Sequence, residues 1–276
     1  MPHYSIVFLD VDGTLLDSSH RVSEPTRDLL RRLNRKKVPV VLASARPPKG
    51  LEPIYRQLGF QGPAICCAGA LAVMPDQHIL YDRGIPAATA ARFEQAVLDG
   101  WPQVALSAYL YDAWLTPDPN HPAIRNEASV TGCEALAASL GSGAERLGSV
   151  HKLLCIGPEQ AITDLQRRLG PQFPELTVLR SNPTYLEVVA SGVCKERTAA
   201  AVLEHYGLSA SQAVACGDGE VDAGMLRLAG LGVAMGNAAP GVQAAADFVT
   251  SSNDQDGVYV ALSRLHFSRP EEQDRR

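Results

Sequence analysis

Short apolar runs with no polar residue inside them, separated by amphipathic helical stretches, constrain this chain more than any other feature. Residues 6–9, Ile-Val-Phe-Leu, form the first such run. A strand dispenses with polar alternation when both of its faces are buried, as in a parallel sheet between two layers of helix. Ser23 and Pro25 then open a helix carrying Leu29, Leu30 and Leu33 on one side, with Arg and Lys in its last turn. Residues 38–42 give a second run. Pro47 and Pro48 open a helix with Leu51, Ile54, Tyr55 and Leu58 at helical spacing, closed by Gly59, and residues 64–67 give a third run. This βαβαβ order predicts a parallel sheet with helices on both faces.

A different pattern occupies the middle. Ala90, Phe93 and Val97 mark a helix. After Gly100, Val104, Leu106, Ala108 and Leu110 alternate with Ala105, Ser107, Tyr109 and Tyr111. Period-two alternation predicts an antiparallel sheet with one face more open. Residues 153–156, 176–179 and 185–189 read as further strands, and Ile162, Leu165 and Leu169 as a helix. Gly84-Ile85-Pro86 and Ser191-Gly192 bracket the region. Beyond Lys195 the first pattern returns, with strands at 214–216 and 231–234, a helix at Met225 and Leu226, and a last helix through Val258, Ala261, Leu262 and Leu265. The expected fold class is therefore α/β: a doubly wound, Rossmann-like parallel-sheet core over 1–83 and 190–276, with an α+β cap domain inserted over 84–189.

Composition narrows the partners. With 46% hydrophobic residues among 276, a sizeable core is affordable, and the net charge of −5 is spread along the chain. No basic block or basic-aromatic interleaving is present, so a nucleic-acid partner is not expected. The longest apolar runs, such as residues 38–45, are too short to span a bilayer, so no membrane is expected. Residues 5–9 lack a positive flank and a cleavage site, so no signal peptide is expected either. Cys66, Cys67, Cys133, Cys155, Cys194 and Cys216 show no paired C-x-x-C spacing and no histidine at ligand spacing. They read as reduced, buried thiols of a cytoplasmic protein. The tail over 268–276 is polar and is expected to fray. The sequence leaves monomer and homodimer open.

In open parallel sheets, ligands bind beyond the carboxyl ends of the strands. That rule selects Asp10 and Asp12 after the first strand, Ser44 after the second and Asp218 after the strand that follows the insert. Lys195 lies near the start of the helix after the insert. These types suit phosphoryl transfer. A carboxylate attacks phosphorus and divides one hard step into two. Attack of an anion on an anion is eased by a lysine and a Mg²⁺ ion. Asp10, the main-chain carbonyl of Asp12 and Asp218 supply the oxygens Mg²⁺ prefers. The Asp12 side chain is then free to protonate a leaving alkoxide and activate water. Gly13 lets the backbone turn its N–H groups toward phosphate, and Ser44 offers a hydroxyl. A calcium loop is a poorer reading, because no third acid stands at Thr14 and the glycine comes too early.

At these positions the chain resembles the haloacid dehalogenase (HAD) superfamily of phosphatases, in its Cof-like, type IIB branch. The first motif stands as Asp10-Val11-Asp12-Gly13-Thr14-Leu15, the second as Ser44-Ala45-Arg46-Pro47. The lysine motif stands as Gly192-Val193-Cys194-Lys195 and the acidic motif as Gly217-Asp218-Gly219-Glu220-Val221-Asp222. Met235-Gly236-Asn237-Ala238 and Asp256-Gly257-Val258 also match. The resemblance covers essentially the whole chain. It implies Asp10 as nucleophile and Asp12 as general acid/base. It implies phosphate binding by Gly13, Ser44 and Lys195, and Mg²⁺ held by Asp10, Asp12 and Asp218. Arg46, Asp222 and Asn237 would stand beside the substrate or behind the metal ligands. The implied activity is hydrolysis of a small phosphorylated metabolite, a sugar phosphate. A phosphosugar mutase and a non-catalytic phosphometabolite-binding protein are the alternatives. Three positions depart from the branch: Ala68 and Val221 stand where it carries Asn, and Glu196 where it carries Gly.

Taken singly, the features are ordinary. Ser44 alone reads as a helix N-cap, Lys195 as a solvated helical residue, and Gly217-Asp218 as a turn. Their joint order and strand-end placement carry the weight. In the insert, Lys152, His121, Arg125 and Tyr185 read as structural or solvated, and Trp114 as packed.

Overall fold

The computed structural model describes residues 3–131 and 133–269. From residue 270 on, the polar tail lies outside the described residues. The chain forms two compact units. One comprises Met1–Ala45, Leu51–Tyr81 and Cys194–Arg276; the other comprises Arg46–Gly50 and Asp82–Val193.

The first unit is built on an eight-stranded sheet. Its spatial order is Phe248–Val249, Leu231–Ala234, Ala213–Gly217, Ile6–Asp10, Val40–Ala43, Ala64–Cys66, Leu71–Val73 and Ile79–Asp82. The first six strands run parallel. Leu71–Val73 then turns back antiparallel on Ala64–Cys66. Every residue of Ile6–Asp10, Val40–Ala43 and Ala213–Gly217 is buried, as the unbroken apolar runs require. Alternate side chains leave a strand on opposite faces. Ile6, Phe8, Val41, Ala43, Ala213 and Ala215 pack with Ala199, Val202 and Leu203 of the helix Lys195–Tyr206 and with Met225 and Leu226 of the helix Ala223–Leu228. Val7, Leu9, Val40 and Leu42 face the other way. On that side the helix Glu24–Arg35 meets the strand Val40–Ala43 and the helix Gly257–Leu262. The sheet is thus covered on both faces: a doubly wound α/β core.

Local chemistry sets the helix ends. The Ser23 Oγ accepts from the Thr26 N–H at 3.4 Å, Pro25 sits in the first turn, and Arg32 and Arg35 occupy the last. The last helix stops at Leu262, short of Leu265, which the apolar spacing had included.

The second unit holds a six-stranded sheet in the order Leu176–Asn182, Tyr185–Ala190, Lys152–Ile156, Ala105–Leu110, Ala113–Thr116 and Leu136–Ala137. Its pairings are antiparallel except the last. The expectation of one open face fails along Ala105–Leu110, whose six residues are all buried. The reason lies in two helices that weak apolar spacing concealed, Pro122–Thr131 and Leu140–Leu147. Gly143 of the second presses on Leu115, which pairs with Ala108. Glu127 of the first accepts a hydrogen bond from Tyr185, on the opposite face with Ile156 and Ala105. The strand is therefore covered from both sides, although it alternates in polarity. No helix among the described residues is long and apolar enough to cross a membrane.

Candidate active site

Strand order and register place the candidate residues. Asp10 ends the strand Ile6–Asp10 level with Ala43 on one side, and Leu9 pairs with Cys216 on the other. Ser44 and Asp218 each lie one residue past the ends of those two neighbours. Lys195 opens the helix that crosses beneath the sheet, and Asp222 closes a single 3₁₀ turn, Glu220–Asp222.

The side chains meet around one ammonium. Lys195 Nζ donates to Asp10 Oδ1 and to Asp222 Oδ1, each at 2.6 Å. All three residues are buried, Lys195 with 2% of its surface exposed. The other oxygen of Asp222 accepts from the main-chain N–H groups of Asp218, at 3.2 Å, and Gly219, at 2.9 Å. Thr14 Oγ1 donates to Asp218 Oδ1 at 2.8 Å. Asn237 Nδ2 donates to the Gly13 carbonyl at 2.9 Å and lies 3.4 Å from Asp218 Oδ2. Gly13 has φ +83°, and a Cβ there would collide with the Asp218 carboxylate. Both facts require glycine.

Oxygens of Asp10, Asp218 and Asp222 lie within 4.8 Å of one another. Three carboxylates that close, with one ammonium among them, carry excess negative charge in a place of low polarity. The electrostatics reflect it. Burial pushes the Asp10 carboxyl well above its usual range; the Lys195 charge opposes this, and Asp222 and Asp218 add to it. Burial also raises Asp218, against the hydrogen bond from Thr14. Burial would lower Lys195, but Asp10 and Asp222 together outweigh it and hold the ammonium above its ordinary value. An all-oxygen donor set with surplus negative charge fits a hard divalent cation. The third carboxylate of the cluster is that of Asp222, whereas the Asp12 side chain is exposed.

The other expected residues fall as follows. Ser44 is buried; its N–H donates to the Ile65 carbonyl at 2.8 Å. Arg46 belongs to the second unit, where its Nη1 reaches the Gly50 carbonyl at 3.5 Å. Asn237 is exposed beside Gly13. Of the departing positions, Glu196 is exposed, Val221 is 46% exposed, and Ala68 is buried with φ +59°. Within the insert, Lys152 pairs with Glu187 at 3.4 Å and Trp114 stacks on Tyr109. The His121 ring accepts from the Ala123 N–H, and Arg125 is exposed. The Tyr185 hydroxyl, pushed up to about 12 by burial and by Glu127, donates to that carboxylate at 2.9 Å. The six cysteines are free thiols, five of them buried. Burial raises Cys155 and Cys216 to about 12, so neither is a ready nucleophile.

Sequence reasoning assigned no role to Thr14, Asn253 or Thr198. Thr14 could have been found, because it stands inside the Asp-rich motif. Asn253 holds the Leu16 carbonyl with its amide at 2.9 Å, and its N–H meets Asn237 Oδ1 at 3.0 Å. Thr198 bonds a carbonyl 129 positions away. Neither long-range contact leaves a local signal.

A sheet with acids at its strand ends and a buried lysine between them defines a hydrolase of phosphoryl-transfer type. The family is shown directly: the sequence model of the haloacid dehalogenase-like hydrolases matches residues 7–262. A Haemophilus influenzae protein, provisionally named a phosphatase, is 31% identical over 94% of this chain and 97% of its own. A haloacid dehalogenase-like hydrolase from Bacteroides thetaiotaomicron superposes with a TM-score of 0.87, at 28% identity, over 95% of this chain and 99% of its own. A HAD subclass IIB sugar phosphatase, BT4131, gives a TM-score of 0.78 at 23% identity over 94% of this chain and 98% of its own, a likeness of fold. The chain belongs to the haloacid dehalogenase-like hydrolases and is a phosphatase of that family.

Proposed function

We propose that the protein hydrolyses a small phosphomonoester, a sugar phosphate, through an aspartyl-phosphate on Asp10 with Mg²⁺ as cofactor. The observation that carries this reading is the buried Lys195 ammonium, held at 2.6 Å by two of three clustered carboxylates. Asp10 attacks phosphorus; its new P–O bond forms as the ester P–O bond breaks. Asp12, exposed two residues on, gives the departing alkoxide its proton. Water then attacks the same phosphorus and loses a proton to Asp12, and the acyl-phosphate P–O bond breaks to restore Asp10. The products are an alcohol and inorganic phosphate. Lys195, Ser44 and the main chain at Gly13 bind the phosphoryl oxygens. Asp10, the Asp12 carbonyl and Asp218 hold the Mg²⁺, which when bound supplies positive charge against the phosphoryl group. Asp222 anchors Lys195 and the Asp218 turn, and Asn237 holds Gly13 and Asp218. Arg46 is read as a substrate-binding residue, and the inserted domain as the part that selects the substrate. The proposed substrate class is supported by the presence of that α+β insert and by the fold shared with the sugar phosphatase.

The test is phosphate release from p-nitrophenyl phosphate and a panel of sugar phosphates, with and without EDTA. Free phosphate is expected as the main product, lost with EDTA, restored by Mg²⁺ and abolished in Asp10→Asn. Turnover by Asp10→Asn would sink the nucleophile assignment. Transfer of the phosphoryl group to sugar without free phosphate would favour a mutase.

A further inference from the structure

Three consecutive residues beside the lysine have left-handed backbone: Cys67 at φ +51°, Ala68 at +59° and Gly69 at +104°. The first two carry a Cβ, so each stores backbone strain. Such strain persists only where surrounding contacts hold it. Two do so here. The Ala68 N–H donates to the Ser44 carbonyl at 3.1 Å. The Gly69 carbonyl accepts from Thr198 Oγ1 at 2.6 Å, in a buried place. Gly69 also lies against the peptide joining Cys194 to Lys195, so closely that a Cβ would meet its carbon, oxygen and nitrogen. The segment is a strut, with Ser44 at one end and the first peptide of the lysine helix at the other. Its fixed length matters because Lys195 Nζ makes two bonds of 2.6 Å and has no slack. An offset of about 1 Å at such a site costs on the order of 100-fold in rate.

We infer that Thr198 is a positioning residue for phosphoryl transfer, locking the Cys67-Ala68-Gly69 strut that spaces Ser44 from Lys195. The inference rests on the phosphoryl-site reading given above. A threonine within a helix commonly bonds the carbonyl four residues back, and Thr198 does lie 3.3 Å from the Cys194 carbonyl. Its one proton goes to the shorter contact, at Gly69. Without the hydroxyl, the buried Gly69 carbonyl loses the side-chain donor that holds it. The strained segment then has one tether fewer.

The experiment compares Thr198→Val, which keeps the shape, with Thr198→Ala, which suits a helix better, and Thr198→Ser, which keeps the hydroxyl. Two readouts are taken below the melting point of each variant: kcat/KM for p-nitrophenyl phosphate, and the inhibition constant of orthovanadate, an oxyanion that adopts the five-coordinate shape of phosphoryl transfer. Val and Ala are expected to lower kcat/KM by about 10-fold, chiefly in kcat, and to weaken vanadate by a similar factor, while Ser restores both. A structural residue alone would lower the melting temperature and leave both readouts in place. If Val does not fold, the Ala and Ser pair decides. A folded Thr198→Ala within twofold of wild type on both readouts overturns the inference alone. A wild type that neither releases phosphate nor binds vanadate overturns the phosphoryl reading and this inference with it.

Discussion

Each unit buries one lysine beside acid, and the two sites are built to different ends. Lys195 faces three carboxylates, two of them at 2.6 Å, so its charge is outnumbered. Lys152 pairs with Glu187 at 3.4 Å and lies 5.1 Å from the Tyr109 ring, so its charge is met by an opposite one. A matched buried pair is a closed structural element: breaking it costs more than replacing it whole. An outnumbered lysine is stable only as part of something larger, with a cation or a phosphoryl group completing the balance. Perturbed groups gather at functional sites for this reason. Excess of one charge, more than burial, therefore separates the proposed catalytic cluster from its look-alike.

Lys195→Met should break the comparison most sharply. With p-nitrophenyl phosphate, kcat is expected to fall by about 10³-fold, because the phosphoryl charge loses its fixed cation. The variant should also melt lower than wild type, since the remaining acids lose their shared partner. A kcat within tenfold of wild type would place Lys195 with Lys152, among structural residues.

The matched pair predicts the opposite pattern. Lys152→Met should cost about 3 kcal/mol in urea unfolding by leaving the largely buried Glu187 carboxylate without this cation, and adding Glu187→Leu should recover most of it. Equal losses in the single and double variants would show that the pair is not coupled. A smaller effect belongs to the first unit. Ala68→Gly relieves a left-handed residue at φ +59° and should gain about 1 kcal/mol in the same measurement. A loss instead would mean that the Ala68 methyl group packs better than its backbone suffers.

Legibility in the sequence follows the range of the interaction. The βαβαβ order, the strand ends and the acids on them were readable, because a strand buried on both faces must be apolar throughout and must stop where polarity begins. Asp10, Lys195 and Asp218 were accessible on that basis. The role of Asp222 in gripping Lys195 and the Asp218 turn was not, since it depends on how a 3₁₀ turn folds back. Leu71–Val73 follows the apolar run of Ala64–Cys66 so closely that no second strand stands out, and Ile79–Asp82 is a partly exposed edge strand with no buried apolar run. The inserted sheet was misread as open because the helix Pro122–Thr131 buries few side chains and lies on a face that carries Ser107, Tyr109 and Lys152. Polarity there coexists with burial: Ser107 is fully buried and Lys152 is paired with Glu187.

The smallest effect expected is an acid sensitivity in the inserted unit, at His151. The ring is 3% exposed. Its Nδ1 accepts from the Tyr111 N–H at 2.9 Å, so the ring hydrogen sits on Nε2, which lies 3.2 Å from Asp82 Oδ1. A proton added at Nδ1 would face the Tyr111 donor and be buried as well. Burial accordingly lowers the histidine from its ordinary 6.5, with Asp82 opposing, which keeps the effect modest. The folded state thus binds this proton less readily than the unfolded chain. Its contribution to stability is complete above pH 6.5 and is lost as pH falls toward the lowered folded value. His151→Gln keeps one acceptor for Tyr111 and one donor for Asp82 but does not titrate. The difference in melting temperature between wild type and His151→Gln should be flat above pH 6.5 and move against wild type below it. Parallel curves through that range would mean that the Asp82 attraction cancels the burial, and that this histidine, like Lys152, is fully matched where it stands.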